Sequence, residues 1–349
     1  MKARTRVLLI FFAAVWVFSG LVGQAEATTD PVVVFDASDT GDASFNAGIR
    51  EGIKTFEGFF ETKVAWLAPA STKDQTQKGL KALVLQALKH GYDPIVCVGF
   101  PFTSVIAEIA PAHRDTFFVV IDSVVEGSNV QSIVFAEEQG SFLVGILAAM
   151  SSNSGVVGFV GGRDSLVIRN FACGFAQGVA YQSSKTKVLV KMVGTTNAAF
   201  HDPERGAKLT RQLASEGADV VFHAAGGTGN GVIAEAKKLG IKAIGVDRNQ
   251  NGLAAGTVLT SMLKQVDVAV FTALAAAQGQ RIKPGVVRLG LEKGAVGWAL
   301  DENNRALISP AMKARMNEVR GAVISGAIKV HRYADDGRCP AYDFAPLPQ

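Results

Sequence analysis

The 349-residue sequence contains few cysteines and no motif that joins them. Cys97, Cys173 and Cys339 are widely spaced, and none belongs to a Cys-x-x-Cys pair. An odd number with this spacing predicts neither a disulfide framework nor a zinc site. Cys97 and Cys173 lie in apolar segments, so we expect both to be buried, unreactive thiols.

The sequence also has little net charge and no cluster of Lys or Arg. Its formal charge is +4, and residues 1–27 hold three basic residues and one acidic residue, so the remainder carries +2. This balance gives no support for nucleic acid binding. Residues 28–349 form a longer chain than one hydrophobic core usually supports, so the length predicts two domains.

Sequence motifs for catalysis are missing as well. No Gly-x-Ser-x-Gly occurs, and the five histidines show no metal-ligand spacing. The glycine-rich run 226–231 lacks the Lys-Ser/Thr pair of a P-loop, so a tight turn whose amides face a ligand is favoured over a phosphate site. We therefore expect no enzyme activity, no metal ion and no cofactor.

The N-terminal segment is typical of a secretory signal peptide. Three basic residues, Lys2, Arg4 and Arg6, precede an apolar run over 7–22, and the small-x-small site Ala25-Glu26-Ala27 follows. A membrane anchor is the alternative, although the run is short for a span of about 20 residues. No cysteine lies near the cleavage site, so we expect no lipid attachment and a periplasmic location.

Short apolar runs alternate with longer amphipathic segments along the rest of the chain. Runs of this kind, without internal alternation, indicate strands buried on both faces, and strand–helix repetition predicts parallel sheets covered by helices. The predicted strands are 32–35, 64–67, 95–98, 117–121, 156–160, 188–193, 220–222 and 243–246. The predicted helices include 44–60, 73–90, 163–181, 203–216 and 231–239.

These elements form two series, which predict two lobes. We expect residues 28–150 plus about 261–283 in the first lobe, and 151–260 plus about 284–330 in the second. The polar run 151–155 is the expected crossover, and the tail 331–349 has no assigned role. Two such lobes fit a hinged receptor and a two-domain enzyme equally well.

Three of the predicted strands are followed directly by an aspartate: Asp36, Asp122 and Asp247. Ligands bind beyond the carboxyl ends of parallel strands, so these carboxylates are expected at one cleft. They can accept hydrogen bonds from hydroxyl groups or from ring N–H groups. They could also serve as general bases, but no companion acid or nucleophile is evident.

The segment 36–46, DASDTGDASFN, resembles the D-x-G-x-x-D-K-S-F-N start of the basic membrane protein family, the purine nucleoside receptors of ABC importers. Ala43 replaces the family's Lys, Asn249 stands where Asp is common, and the lipobox Cys of many members is missing. The resemblance implies a type I periplasmic binding protein: two Rossmann-like lobes with parallel sheets, joined by three hinge crossovers. Further segments match the family in the family's order: VVID (119–122), VGFVGG (157–162), 174–178, AAFHD (198–202), 220–231, 244–250 and 258–270.

The resemblance also implies a role for each of ten residues. Phe45 and Phe222 would sandwich a purine, with Phe200 on a third side; core packing is the alternative for each. Asp36 and Asn46 would meet the base edge, although Asn46, like Asp42 and Ser44, could instead cap a helix. Asp122, Asp247 and Lys264 would address the ribose, and Gly227 and Gly229 would let the backbone approach it. A solvated helix lysine is the alternative for Lys264.

The implied function is capture of a purine nucleoside for an ABC permease and its ATPase. A free purine base is the nearest alternative ligand, because the stacking residues would serve both. A sensor that passes its closed form to a signalling partner and a nucleoside-cleaving enzyme remain the other two classes.

Overall fold

The computed structural model describes residues 30–38, 42–279 and 281–348. The expected signal peptide, 1–27, lies outside these residues, as does the 39–41 part of the first family-like segment. Within the described ranges, no helix combines the length and the apolar character that crossing a membrane requires.

The molecule has two lobes, each built on a six-stranded sheet. The first sheet contains β1 Val32–Phe35, β2 Ala65–Leu67, β3 Ile95–Val98, β4 Phe118–Ile121, β5 Val130–Phe135 and β11 Gly285–Leu289. The second contains β6 Val156–Arg163, β7 Lys187–Gly194, β8 Val220–Ala224, β9 Lys242–Asp247, β10 Val258–Lys264 and β12 Val296–Trp298. The sheet orders are β11-β5-β4-β3-β1-β2 and β12-β10-β9-β8-β6-β7, and β12 is antiparallel to its neighbour.

Helices cover the faces of both sheets, as expected for an α/β protein with parallel strands. Every residue of β1, β3 and β4 is buried, which explains their continuous apolar sequences. The helices are α1 Phe45–Phe60, α2 Gln77–Lys89, α3 Thr103–Ile109, α4 Glu137–Ser151, α5 Leu166–Gln182, α6 Pro203–Ser215, α7 Thr228–Leu239, α8 Val266–Gln278, α9 Pro310–Ile324 and α10 Tyr333–Asp336. This architecture confirms the predicted type I periplasmic binding protein fold.

The chain passes between the two sheets three times along its described length, after β5, after β10 and after β11. The positions of these crossings differ from the expected lobe boundaries. Helix α4 packs against α5 and β12 of the second lobe, and α8 packs against α1 of the first. Strand β11 pairs with β5 in the first sheet, although 284–330 was expected in the second lobe.

The polar run 151–155 is a turn within the second lobe, so the prediction of a crossover at this run is wrong. Asp219 explains its composition: its carboxylate accepts hydrogen bonds from Ser152 Oγ and from the backbone N–H groups of Asn153 and Ser154, at 2.6 to 2.9 Å. The small polar residues satisfy this carboxylate. The chain has already left the first sheet after Phe135, the end of β5, because α4 packs against the second lobe.

The C-terminal tail is attached to α5, which corrects the expected free thiol at Cys173. Cys173 forms a disulfide with Cys339 over a separation of 166 residues, and Cys97 is the free, buried cysteine. Arg169, also on α5, is buried and donates to Asp164, to Tyr333 Oη at 2.7 Å and to the Ala345 carbonyl at 2.7 Å. The tail therefore has a structural role.

Candidate functional site

A cavity lies between the two lobes, at the carboxyl ends of the strands. It encloses about 630 Å³, counting its opening to solvent. Seven of the ten residues that the sequence suggested line it: Asp36, Phe45, Asn46, Asp122, Phe200, Asp247 and Lys264.

Asp122 and Asp247 occupy equivalent positions in the two lobes. Asp122 follows β4 and Asp247 ends β9, the third strand in from the β11 or β12 edge of each sheet. Both have a left-handed backbone, with φ of 71° and 63°, which is uncommon for residues other than glycine and clusters at functional sites. The two lobes thus present matched carboxylates to the cavity.

Lys264, the last residue of β10, joins the lobes through a buried ion pair. Its Nζ lies 2.5 Å from Asp122 Oδ2 and 3.7 Å from Glu137 Oε1, and all three side chains are nearly inaccessible to solvent. Burial by itself would lower the pKa of Lys264, but Asp122, Glu137 and Asp247 outweigh it and raise that pKa. Lys264 is therefore charged, and the solvated-lysine interpretation is wrong.

Asp247 also makes a contact with the opposite lobe. The Ser44 hydroxyl donates to Asp247 Oδ2 at 2.6 Å. Burial raises the pKa of Asp247 to about 6, although the charge of Lys264 and the Ser44 hydrogen bond both act to lower it. Near neutral pH this carboxylate can still accept hydrogen bonds from ligand hydroxyl groups.

Asp36, directly after β1, lies beside Gly99. A Cβ at position 99 would collide with the Asp36 carboxylate, and Gly99 has φ of 117°, so glycine is required there. Burial, followed by the nearby charges of Asp42 and Asp122, raises the pKa of Asp36 to about 7. Asp36 can therefore be present in protonated or ionised form at neutral pH.

Aromatic side chains form the apolar part of the wall. Phe45 and Phe200 are half-buried and belong to opposite lobes. Phe171, from the cavity face of α5, is a lining residue that the sequence did not single out. Lys264 Nζ lies 5.1 Å from the ring centre of Phe45 and 5.5 Å from that of Phe171, within the range of cation–π attraction.

The cavity wall also contains Gln75 and Asn197, two polar residues that sequence reasoning missed. Gln75 Nε2 lies 3.2 Å from Ser38 Oγ and 3.4 Å from His201 Nε2 of the other lobe, and Asn197 Nδ2 donates to the Gln75 carbonyl at 3.4 Å. Gln75 is eight residues beyond the end of β2, so inspection of strand ends could not find it. These contacts bridge the lobes, and the structure is a closed form.

Phe222 does not belong to the cavity wall in the part of the chain that the structure describes. It is fully buried in β8 and packs against Phe159 and Phe175 at ring-centre distances of 5.4 and 5.3 Å. The expected stacking role is therefore wrong, and the core-packing alternative is correct. In a strand buried on both faces, the sequence does not reveal which side chains face the ligand.

The two glycines have different surroundings from those expected. A Cβ at Gly229 would collide with the buried His223 ring, so Gly229 is required for the packing of α7. Gly227 lies next to the Phe200 carbonyl at the cavity edge, and the neighbouring Gly226, with φ of 53°, is the lining residue. The run is thus a tight turn beside the cavity.

The side chains that line the cavity are able to bind a ligand by hydrogen bonds and by stacking. The described residues contain no group of three or more His, Cys, Asp or Glu side chains placed to hold a metal ion. The cavity combines ionisable carboxylates with aromatic rings, and both lobes contribute to it. Such a wall suits a ligand with an apolar flat part and several hydroxyl or N–H donors.

Comparisons with known proteins agree with this description. The model of the Bmp family, described as ABC transporter substrate-binding protein PnrA-like, matches residues 30–331. A CD4+ T-cell-stimulating antigen of Listeria monocytogenes is 32% identical over 85% of this chain and 87% of its own length. The ABC transporter nucleoside-binding protein BmpA of Lactococcus lactis is 27% identical over 87% of this chain and 91% of its own length.

A solved structure extends the similarity to three dimensions. The solute-binding protein of an ABC transporter system from Aeropyrum pernix superposes with a TM-score of 0.80 at 25% identity, covering 88% of this chain and 95% of that one. The family match, the relatives and the two-lobed fold together show that the chain belongs to the Bmp family of PnrA-like ABC transporter substrate-binding proteins.

Proposed function

We propose that this protein captures a purine nucleoside in the periplasm and delivers it to an ABC permease and its ATPase. The observation that carries the proposal is the interlobe cavity, in which the Asp122–Lys264–Asp247 group lies near the aromatic side chain of Phe45. The proposal also draws support from the relative named as a nucleoside-binding protein.

Asp122, Asp247 and Lys264 are assigned to the ribose. Asp122 Oδ2 is paired with Lys264, whereas its Oδ1 is buried without a hydrogen-bond partner among the residues that the structure describes. A ligand hydroxyl would satisfy this oxygen, and a charge-assisted hydrogen bond contributes about 1.5–3 kcal/mol. A free purine base has no hydroxyl group and could offer this oxygen only a ring N–H.

Phe45 and Phe200 are assigned to the base. Stacking of a base on an aromatic ring contributes about 1–3 kcal/mol and tolerates different bases. Since the two rings come from opposite lobes, binding favours the closed form, and a ligand shifts that equilibrium by its differential affinity for the two forms. The permease would recognise the closed shape. No catalytic role is proposed for these residues.

The test is isothermal titration of the protein, purified under denaturing conditions and refolded to remove bound ligand. Inosine and guanosine are expected to bind much more tightly than hypoxanthine and guanine. Asp247→Ala should abolish nucleoside binding, whereas the exposed Asp343→Ala should not change it. Unchanged affinity in Asp247→Ala, or tighter binding of the free bases, would contradict the ribose assignment. A signal-peptide cleavage site in periplasmic material would test the location.

A further inference from the structure

Asp42 lies at the start of α1, where its carboxylate is saturated with donors. Oδ1 accepts from the backbone N–H groups of Ser44 and Ala47, at 2.9 and 3.0 Å. Oδ2 accepts from the backbone N–H of Asn46 at 3.2 Å and from its side-chain Nδ2 at 3.1 Å. Asp42 is only 4% exposed. Four donors converging on one buried carboxylate fix it as an acceptor.

This arrangement fixes the orientation of the Asn46 amide. Its Nδ2 has to face Asp42, because an amide oxygen placed there would oppose a carboxylate oxygen. Asn46 Oδ1 therefore points the other way, and it is buried without a hydrogen-bond partner among the described residues. Asn46 lines the cavity and is 6% exposed, so an unpaired acceptor is held in the wall of the site.

We propose that Asp42 is a positioning residue that makes Asn46 an acceptor-only group, and that Asn46 Oδ1 selects purine nucleosides carrying an N–H donor on the base edge. The inference rests on the proposed nucleoside function and refines it. By itself an asparagine can present either a donor or an acceptor. With Asp42 beside it, the site accepts a base N–H and disfavours a bare ring nitrogen.

Inosine and purine riboside provide a matched pair of probes. Both carry the same ribose, but inosine has a donor at N1 and a carbonyl at C6, whereas purine riboside has an unprotonated N1 and no carbonyl. The change of their affinity ratio in the position 42 and 46 variants therefore isolates the contribution of the N1 donor. An unpaired acceptor facing another acceptor loses a hydrogen bond, so the wild-type protein should bind inosine about tenfold more tightly, or more, by titration calorimetry.

Asp42→Asn tests the positioning role. The amide introduced at position 42 can keep its oxygen on the Ser44 and Ala47 N–H groups. Its NH₂ group then faces the Asn46 side chain and the Asn46 backbone N–H, which loses its acceptor. The Asn46 amide should rotate and present Nδ2 to the cavity. The preference for inosine should fall to parity or invert. If Asp42 had only a structural role, the substitution would lower the affinity for both nucleosides by the same factor and leave the ratio of the two affinities unchanged.

If Asp42→Asn folds poorly, Asn46→Ala keeps the proposal testable, because it removes the acceptor and leaves the Asp42 bonds to the backbone N–H groups intact; the preference for inosine should then fall to parity. The double variant Asp42→Asn with Asn46→Asp tests whether the preference can be restored. The new amide at position 42 would donate to one oxygen of the new carboxylate at position 46, and the other oxygen would again be an acceptor in the cavity. Preference for inosine should return to the wild-type ratio. A ratio that stays at the single-variant value, or a wild-type protein without preference, would overturn the inference. Wild-type protein that binds neither nucleoside would overturn the proposed function itself.

Discussion

Ser44 and Asp247 are 203 residues apart in sequence, yet the Ser44 hydroxyl donates a 2.6 Å hydrogen bond to Asp247 Oδ2 across the cleft. Ser44 is the N-cap residue of α1, but its side chain does not cap that helix, because Asp42 accepts from the helix-start N–H groups. The hydroxyl is therefore available to link the lobes. Ser44 contributes to the closed form, and its removal should act on binding.

Replacing Ser44 by Ala should weaken nucleoside binding about tenfold, since a hydrogen bond to a charged group contributes about 1.5–3 kcal/mol. The substitution removes this hydrogen bond from the closed form, whereas in the open form the bond is not made. Titration calorimetry measures the affinity, and Ser325→Ala, a surface serine that bonds within its own turn, is the matched control. Equal affinities in wild type and Ser44→Ala would show that the bond does not contribute to closure.

Two phenylalanines should respond in opposite ways. Phe222→Ala should lower the free energy of unfolding by about 3–5 kcal/mol, because it opens a cavity in a packed core. Phe45→Ala should lower the binding free energy by about 1–3 kcal/mol, because it removes a stacking surface. Urea unfolding and calorimetry separate the two quantities. If Phe222→Ala does not fold, Phe222→Leu replaces it. A loss of affinity in Phe222→Leu at unchanged stability would contradict its placement in the core.

The disulfide between Cys173 and Cys339 should stabilise the fold by about 2–5 kcal/mol, since it closes a long loop in the unfolded chain. Cys339→Ser should lower the free energy of unfolding by this amount. A thiol reductant should do the same to wild type and have no further effect on Cys339→Ser. Titration of the denatured protein should find one free thiol without reductant and three with it. Three free thiols without reductant would refute the pairing.

Stability should depend on pH through Asp36. Because burial raises its pKa in the folded state from the ordinary 3.8 to about 7, the folded protein binds more protons than the unfolded chain between these values. The favourable contribution is complete below pH 3.8 and is lost as pH rises to about 7. Asp36→Asn, which stays neutral, should avoid this loss.

The melting temperature of Asp36→Asn minus that of wild type should therefore increase as the pH is raised from about 5 to about 8. Burial is also the largest cause of the raised pKa values of Glu137, Glu138 and Asp247. The stability of the variant will therefore still depend on pH to some extent. A flat difference between Asp36→Asn and wild type over this range would contradict the raised pKa of Asp36.

The sequence by itself determined the fold class and most of the strand positions. Apolar runs such as 32–35 and 95–98 coincide with β1 and β3, because parallel strands buried on both faces need uninterrupted apolar residues. Residues that directly follow such runs, Asp36, Asp122 and Asp247, were correctly placed at the cavity because parallel strands end at one edge of a sheet.

Only the tertiary structure decided which side chains meet. The pairing of Cys173 with Cys339, the burial of Lys264 between two carboxylates and the orientation of Asn46 by Asp42 depend on how separate segments dock. Phe222 could not be assigned from its run, because both faces of β8 are buried and its sequence has no alternation. Local sequence determines where a strand runs and ends, whereas contacts between segments distant in the chain arise only when the two lobes pack and close.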